Sequence, residues 1–302
     1  QYEPDKREHN HEPATSYAPR ELGLLASALL VACGGDDAGS SSSSSSASAP
    51  GFNNFPQAKS DNEAARFLQQ SQFASTPSDI ASVRSTTFSD YLQQQFSKPI
   101  NTGWDWLESR GYGRDATLDK YVYSDTIADC MVWRDLFSAP DAMRKRVSLA
   151  LSEFFVVSFG SMEIDWRGYA ITAFWDMLNK HAFGNFRQLL EDVTLHPAMG
   201  YYLNTKGNRK EDVARNRVPD ENYGREVMQL FSLGLYQLNL DGSEKVDSAG
   251  ARIESYTQHD ITNIARVFTG WDIDQSQNLP TLEPVQNRTI PSTHYTRLPM
   301  VL

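Results

Sequence analysis

From about residue 60 to residue 271 the apolar positions recur at helical intervals. Ser60-Asp61-Asn62-Glu63 has capping-box spacing, and Ala64, Phe67 and Leu68 follow on one face, so a helix is predicted to start there. Thr76-Pro77-Ser78-Asp79 opens a second helix, with proline at the first position, where its missing N–H costs little. Phe88, Leu92 and Phe96 mark a third, closed by Pro99. Two longer helices are predicted over residues 141–155 and 169–182; in the latter Ile171, Phe174, Trp175 and Leu178 form the stripe and His181 lies at its edge. Residues 185–196 repeat that arrangement, with Phe186, Leu189, Leu190 and Val193 on the stripe and His196 at its edge. Over residues 220–234, Tyr223, Val227, Leu230 and Phe231 point one way and Gly234 is the stop. The last helix starts at Thr257, has Asp260 as its capping partner, and turns Ile261, Ile264, Ala265 and Phe268 inward. Strand alternation is confined to residues 236–240, predicted to pair across Asp241-Gly242 with Lys245 and Val246. The fold class is therefore mostly α, a multi-helix orthogonal or antiparallel bundle with at most one short β-hairpin.

Composition narrows the partners. At 302 residues with 40% hydrophobic and 11% aromatic residues, the chain is long enough to bury a core. Its net charge of -10 speaks against nucleic acid, which wants clustered Lys and Arg. The one dense basic patch, Arg144-Lys145-Arg146, reads as a solvated helix face.

The first third of the chain predicts a location. Residues 22–32 (LGLLASALLVA) are apolar, too short to span a bilayer and of the length of a signal-peptide core. They end in Leu30-Val31-Ala32-Cys33, which resembles the lipobox of bacterial lipoproteins, and that resemblance implies acylation of Cys33. The competing interpretation is a small buried helix. The serine run over residues 40–46 favours a flexible tether instead, because such a tract buries no apolar area. The order is thus an upstream extension plus signal peptide over residues 1–33, a disordered tether over 34–58, and a helical domain over 59–302. Gly34 after the cysteine favours the outer membrane or cell surface. Residues 1–20 are long and mixed in charge for a signal n-region, and residues 289–302 end without a helix or cap, so the chain reads as a fragment. With Cys33 acylated, Cys130 has no disulfide partner and is expected to be a small core residue.

The densest motifs lie in residues 180–271: HAFGNFR, LHPAM, PDENYGREVMQLFSLG and ARVFTGW. Together with the opening helices they resemble the bacterial "domain of unknown function 1800" family. The resemblance implies a helical architecture and names no established chemistry. It also implies that related domains continue beyond residue 302.

The polar residues of that block supply the candidate chemistry. His181 and His196 are predicted on antiparallel neighbours joined at Gly184, roughly 15 Å apart at 1.5 Å per residue, too far to share a metal. His196 sits at a joint before Pro197, where it is expected to cap the carbonyls of the preceding helix and gain from the dipole if protonated. Arg225 lies beside Glu221 at i, i+4, the spacing of a surface ion pair. Glu226 lies on the margin of the apolar stripe, where a carboxylate is either paired or poised as a general acid. His259 is expected in solvent, and Arg266 either beside it or against an acid of another layer. Phosphate loops, zinc motifs, nucleophile elbows and dinucleotide fingerprints are absent from the sequence. No cofactor or metal is predicted, and whether the chain is an enzyme stays open.

Two functions remain. One is an envelope lipoprotein acting as a helical scaffold or binding module, partnered by the membrane and by another envelope protein or a glycan. The other is an envelope hydrolase acting on a glycan or peptide, with Glu226 as general acid or base and His196 or Arg225 assisting.

Overall fold

A computed structural model describes residues 55–113, 116–162, 164–274, 276 and 294–302, all within a compact unit beginning at Ser48. Cys33 and most of the expected tether lie outside the described residues.

Among the described residues eleven α-helices follow one another: α1 (Asp61–Ser71), α2 (Pro77–Arg84), α3 (Phe88–Ser97), α4 (Gly103–Ser109), α5 (Thr126–Ser138), α6 (Ala142–Phe154), α7 (Arg167–His181), α8 (Phe186–Leu195), α9 (Pro197–Tyr202), α10 (Asn222–Gln229) and α11 (Gln258–Val267). The starts obey one local rule. Ser60, Thr76, Thr87, Thr102 and Thr257 each accept a hydrogen bond from the backbone N–H three residues on, so the cap and the acidic first turn satisfy orphan donors and the dipole together. None of the described helices is long and apolar enough to cross a membrane.

Helix α7 organises the core. Ten of its residues are buried, from Gly168 to His181, and it packs against α4, α5, α6 and α8. A helix buried on most of its sides, polar Thr172 and Asn179 included, belongs between layers. Tyr169, Ala173 and Trp175 face a cluster with Trp104, Leu107, Ile127 and Met131. Ala170, Phe174 and Leu178 face a second cluster with Phe155, Leu189, Val193, Met199, Tyr223 and Phe231. A smaller core of Ala64, Leu68, Val83 and Tyr91 holds α1 to α3 together.

The structure corrects two expectations on α5 and α6. Cys130 is exposed, because Ile127, Ala128 and Met131 take the inward face of α5. Lys145 is fully buried and Arg144 nearly so, while Arg146 alone of the basic triplet meets solvent. Lys145 Nζ lies 3.2 Å from Asp135 and 3.5 Å from Asp141, and it also donates to the Asn101 carbonyl. Nearby, Asp176 accepts from the N–H groups of Gly103 at 2.8 Å and Trp104 at 2.9 Å, so a carboxylate of α7 closes the N-terminus of α4.

Between α10 and α11 the predicted hairpin is present but incomplete as predicted. Leu238 bridges Glu244 as expected, Val246 then bridges Arg252, and Glu254 returns to Tyr236. At the centre Lys245 N–H donates to Gln237, Ile253 N–H to Lys245, and Gln237 N–H to Ile253, so the three segments close a ring. Gly234, Gly242 and Gly250 have φ of +78°, +83° and +83°, which places a left-handed turn at every eighth residue. Residues 235–258 therefore form a pseudo-threefold clasp of short extended segments, with no sheet.

Candidate functional site

His196 occupies the joint between α8 and α9, and its role is the reverse of the expected one. Its Nδ1 accepts from the Ala198 N–H at 3.1 Å, so it caps the start of α9 and not the end of α8. The ring meets Phe174 edge-on at 5.1 Å, and the residue is 6% exposed. Burial drives its pKa down to about 4, against the smaller opposing effects of a hydrogen bond to the Ala173 backbone and the Asp192 charge. The ring is thus neutral at pH 7, as an acceptor at a helix N-terminus must be. His181 is separate, bonded through Nε2 to Asp192 of α8 at 2.6 Å.

Arg225 is the expected ion pair with more attached. Its Nη2 lies 3.1 Å from Glu221 and 3.2 Å from the Gln258 amide oxygen. Glu221 in turn accepts from the Gln258 amide at 2.8 Å and the Thr262 hydroxyl at 2.8 Å, so the network ties α10 to α11. Those hydrogen bonds hold the Glu221 carboxyl below its usual range. Across the interface Arg266 meets Glu211 at 3.2 Å, an acid from another segment, and His259 is exposed.

Glu226 is half-buried, and its Oε2 is shielded from solvent without a hydrogen-bond partner among the described residues. Its helix ends sooner than predicted. Leu230 and Phe231 both donate to the Glu226 carbonyl, the chain turns, and Leu230 is left 54% exposed where the stripe had it inward. Tyr223, one turn earlier, bonds Thr194 of α8 at 2.7 Å and is buried against Phe268.

Neither of the two grooves described below brings the three expected catalytic residues together. Arg225 lines a groove of about 160 Å³ with Leu235, Tyr236, Glu254, Tyr256, Thr257, Gln258 and Ile261, and neither His196 nor Glu226 belongs to it. A second, wider groove of about 480 Å³ runs past Lys206, Arg209, Arg217 and Asp220. Its cations are largely matched: Lys206 pairs with Asp272 at 3.5 Å and Arg217 with Asp212 at 3.7 Å. Among the described residues no group of His, Cys, Asp and Glu could hold a metal ion.

Sequence reasoning missed Tyr236, Glu254 and Tyr256. Their signal was the eight-residue recurrence of Gly234, Gly242 and Gly250, which announces a closed turn array where alternation suggested one hairpin.

The model of the family described as "Protein of unknown function (DUF1800)" matches residues 66–298, and the chain belongs to that family. No curated protein and no solved structure matches it.

Proposed function

Taking a DUF1800-family helical domain as the premise, we propose that this chain is a membrane-tethered envelope lipoprotein whose domain works as a binding module or scaffold. The observation that supports it over the hydrolase is the dispersal of the candidate machinery. A general acid, its assisting base and a charge stabiliser must meet around one reacting bond. Here His196 is sealed in the core and neutral, Arg225 opens to a different groove, and Glu226 reaches neither. The tether rests on the sequence alone, on Leu30-Val31-Ala32-Cys33 and the serine run after it. Two acyl chains anchor a domain durably, and a single chain does not.

The hydrolase keeps one observation, the shielded and unpartnered Oε2 of Glu226. Glu226→Gln distinguishes the two readings. A binding module tolerates it with no loss of any turnover of envelope glycans or peptides; a hydrolase loses turnover by orders of magnitude at unchanged melting temperature. Cys33→Ser tests the tether: the variant leaves the membrane fraction, and retention there would overturn the anchor.

A further inference from the structure

We propose that the wider groove, walled by residues 204–209 and 217–220, is a phosphate subsite in which Lys206, Arg209 and Arg217 hold one phosphate group of a ligand. The proposal rests on the binding-module reading and names its ligand class.

Both walls are fixed before any ligand arrives, and Asn208 ties them together. Its buried side chain accepts from the Asp220 N–H at 2.9 Å and donates to the Asp220 carbonyl at 3.3 Å and the Phe268 carbonyl at 3.2 Å. The Gly207 N–H donates to the Trp271 carbonyl at 2.8 Å. Arg217 exchanges backbone hydrogen bonds with Asp212, and its Nε donates to the Lys210 carbonyl at 3.0 Å. The Lys206 ammonium lies over the Tyr201 ring at 5.2 Å. Groups held in this way lose little freedom on binding.

The cations keep their donors open. The side chains of Lys206 and Arg217 are each 31% exposed, and Arg209 is exposed. Their acidic neighbours, Asp272 at 3.5 Å and Asp212 at 3.7 Å, stand outside the lining and beyond the usual hydrogen-bond range. Among the described residues Nζ of Lys206, Nη1 and Nη2 of Arg217 and the whole Arg209 guanidinium make no hydrogen bond, and the Lys206 and Arg217 nitrogens are not shielded from water. The carboxylate in the lining, Asp220, is already engaged: the Asn204 amide donates to its Oδ2 at 3.2 Å and the Asn222 N–H to its Oδ1 at 2.8 Å. Solvated ion pairs of this length contribute little, so an anion that hydrogen-bonds the same nitrogens displaces them with small loss.

The donor set selects the ligand. An ammonium would meet three cations, and a neutral molecule would leave them uncompensated. A carboxylate presents two oxygens and one charge, which a single guanidinium fork satisfies. A phosphate group carries up to two negative charges and three strong acceptor oxygens, enough for two guanidinium forks and an ammonium. In a chain of net charge -10 the lining runs against the overall charge, and its few cations suit a single phosphate where a nucleic acid would need a longer basic track. At about 480 Å³ the groove has room for the phosphate and a small organic body attached to it, with the exposed Val218 as an apolar contact.

Titration of the full chain with inorganic phosphate, glycerol 3-phosphate and dihexanoylphosphatidylglycerol below its micelle concentration, followed by calorimetry and phosphorus NMR, tests this. At least one of the three is expected to bind with a millimolar or lower Kd. Arg209→Gln should weaken that Kd about ten-fold at unchanged melting temperature, since its guanidinium has no other partner among the described residues, and Lys206→Gln should act in the same direction. Arg252→Gln, which removes a cation outside this groove, should leave the Kd unchanged. Tighter binding of the short-chain lipid assigns the subsite to a lipid headgroup, and tighter binding of either other probe assigns it to a soluble phosphate compound. Absence of binding by all three, acetate binding as tightly as phosphate, or binding that survives Arg209→Gln and Lys206→Gln together would overturn the proposal. So would an equal loss in Arg252→Gln. Turnover by Glu226→Gln and membrane fractionation of Cys33→Ser are indifferent to this groove, so failure of the subsite and failure of the binding-module reading are read separately.

Discussion

Two charge networks hold this domain, one inside it and one on its skin, and they do different work with the same residue types. Around Lys145, the carboxylates of Asp135 and Asp141 and the ammonium are all fully shielded, and three helices meet there. Around Glu221, the partners Arg225, Gln258 and Thr262 are partly in water and link two helices. In the interior, desolvation makes each charge dependent on its partner, so loss of one strands the others. At the surface, water replaces a lost partner, and the network orients side chains more than it stabilises the fold. The difference explains why the surface network leaves Arg225 and Gln258 free to line a groove while the buried one is closed on itself.

The widest gap between the two should appear on Lys145→Met. It leaves two buried carboxylates with Arg134 at 2.9 Å from Asp135 and Arg144 at 3.9 Å from Asp141, and urea denaturation is expected to show a loss of about 3–5 kcal/mol. A loss below about 1 kcal/mol would mean the interior network is not coupled as drawn.

Next in size is a pH effect carried by two buried groups of opposite sign. Burial raises Asp176 from 3.8 to about 6, against the lowering effects of the Gly103 and Trp104 N–H groups. The native form holds that proton more tightly, so this contribution is full below pH 3.8 and disappears as pH rises through about 6. His196 runs the other way, lowered from 6.5 to about 4: its contribution is present above pH 6.5 and is lost as pH falls through about 4. Each shift corresponds to about 3 kcal/mol. The stability difference between parent and Asp176→Asn should therefore shrink with rising pH, and that between parent and His196→Asn should grow, in denaturation series from pH 4 to 7. Parallel curves for the two variants would contradict the assignment.

Smaller again is Gly224→Ala in α10. An added Cβ would lie 2.9 Å from Ile264 Cγ2 and 3.3 Å from the Ala265 nitrogen, so α10 and α11 must part. A loss of about 1–3 kcal/mol is expected from thermal or urea unfolding. Arg225→Ala in the same helix should cost under about 1 kcal/mol, since its ion pair is half in solvent. If Arg225→Ala proved the larger of the two, the helices would be joined by charge and not by close packing.

The sequence carried the helices well because their information is local. Ser60, Thr76 and Thr257 with their acids three residues on are complete start signals, and the Phe174–Leu178 stripe repeats within one element. Lys145 and Cys130 were misplaced for the opposite reason. Whether a lysine is buried depends on Asp135, Asp141 and Asn101 arriving from elsewhere in the chain, and helical phase around Cys130 was ambiguous by a single step. Of the site, Arg225 and its Glu221 partner were legible from i, i+4 spacing alone. His196 was placed at its joint correctly but assigned to the wrong helix end, since spacing does not say which way a ring turns. The groove itself was invisible, because Tyr236 and Tyr256 come to line it together only once the clasp closes.

That closure has a consequence for how the protein behaves in a crowd. A surface hairpin ordinarily offers the unpaired rims of its strands to any extended chain that passes. Here the three segments turn their alternate backbone groups, those of Gln237, Lys245 and Ile253 among them, onto one another, and a glycine turn cuts each segment short. The clasp can stand out in solvent, with leucine and valine side chains showing, and still give a neighbouring molecule only a few residues of edge to extend before the chain turns away.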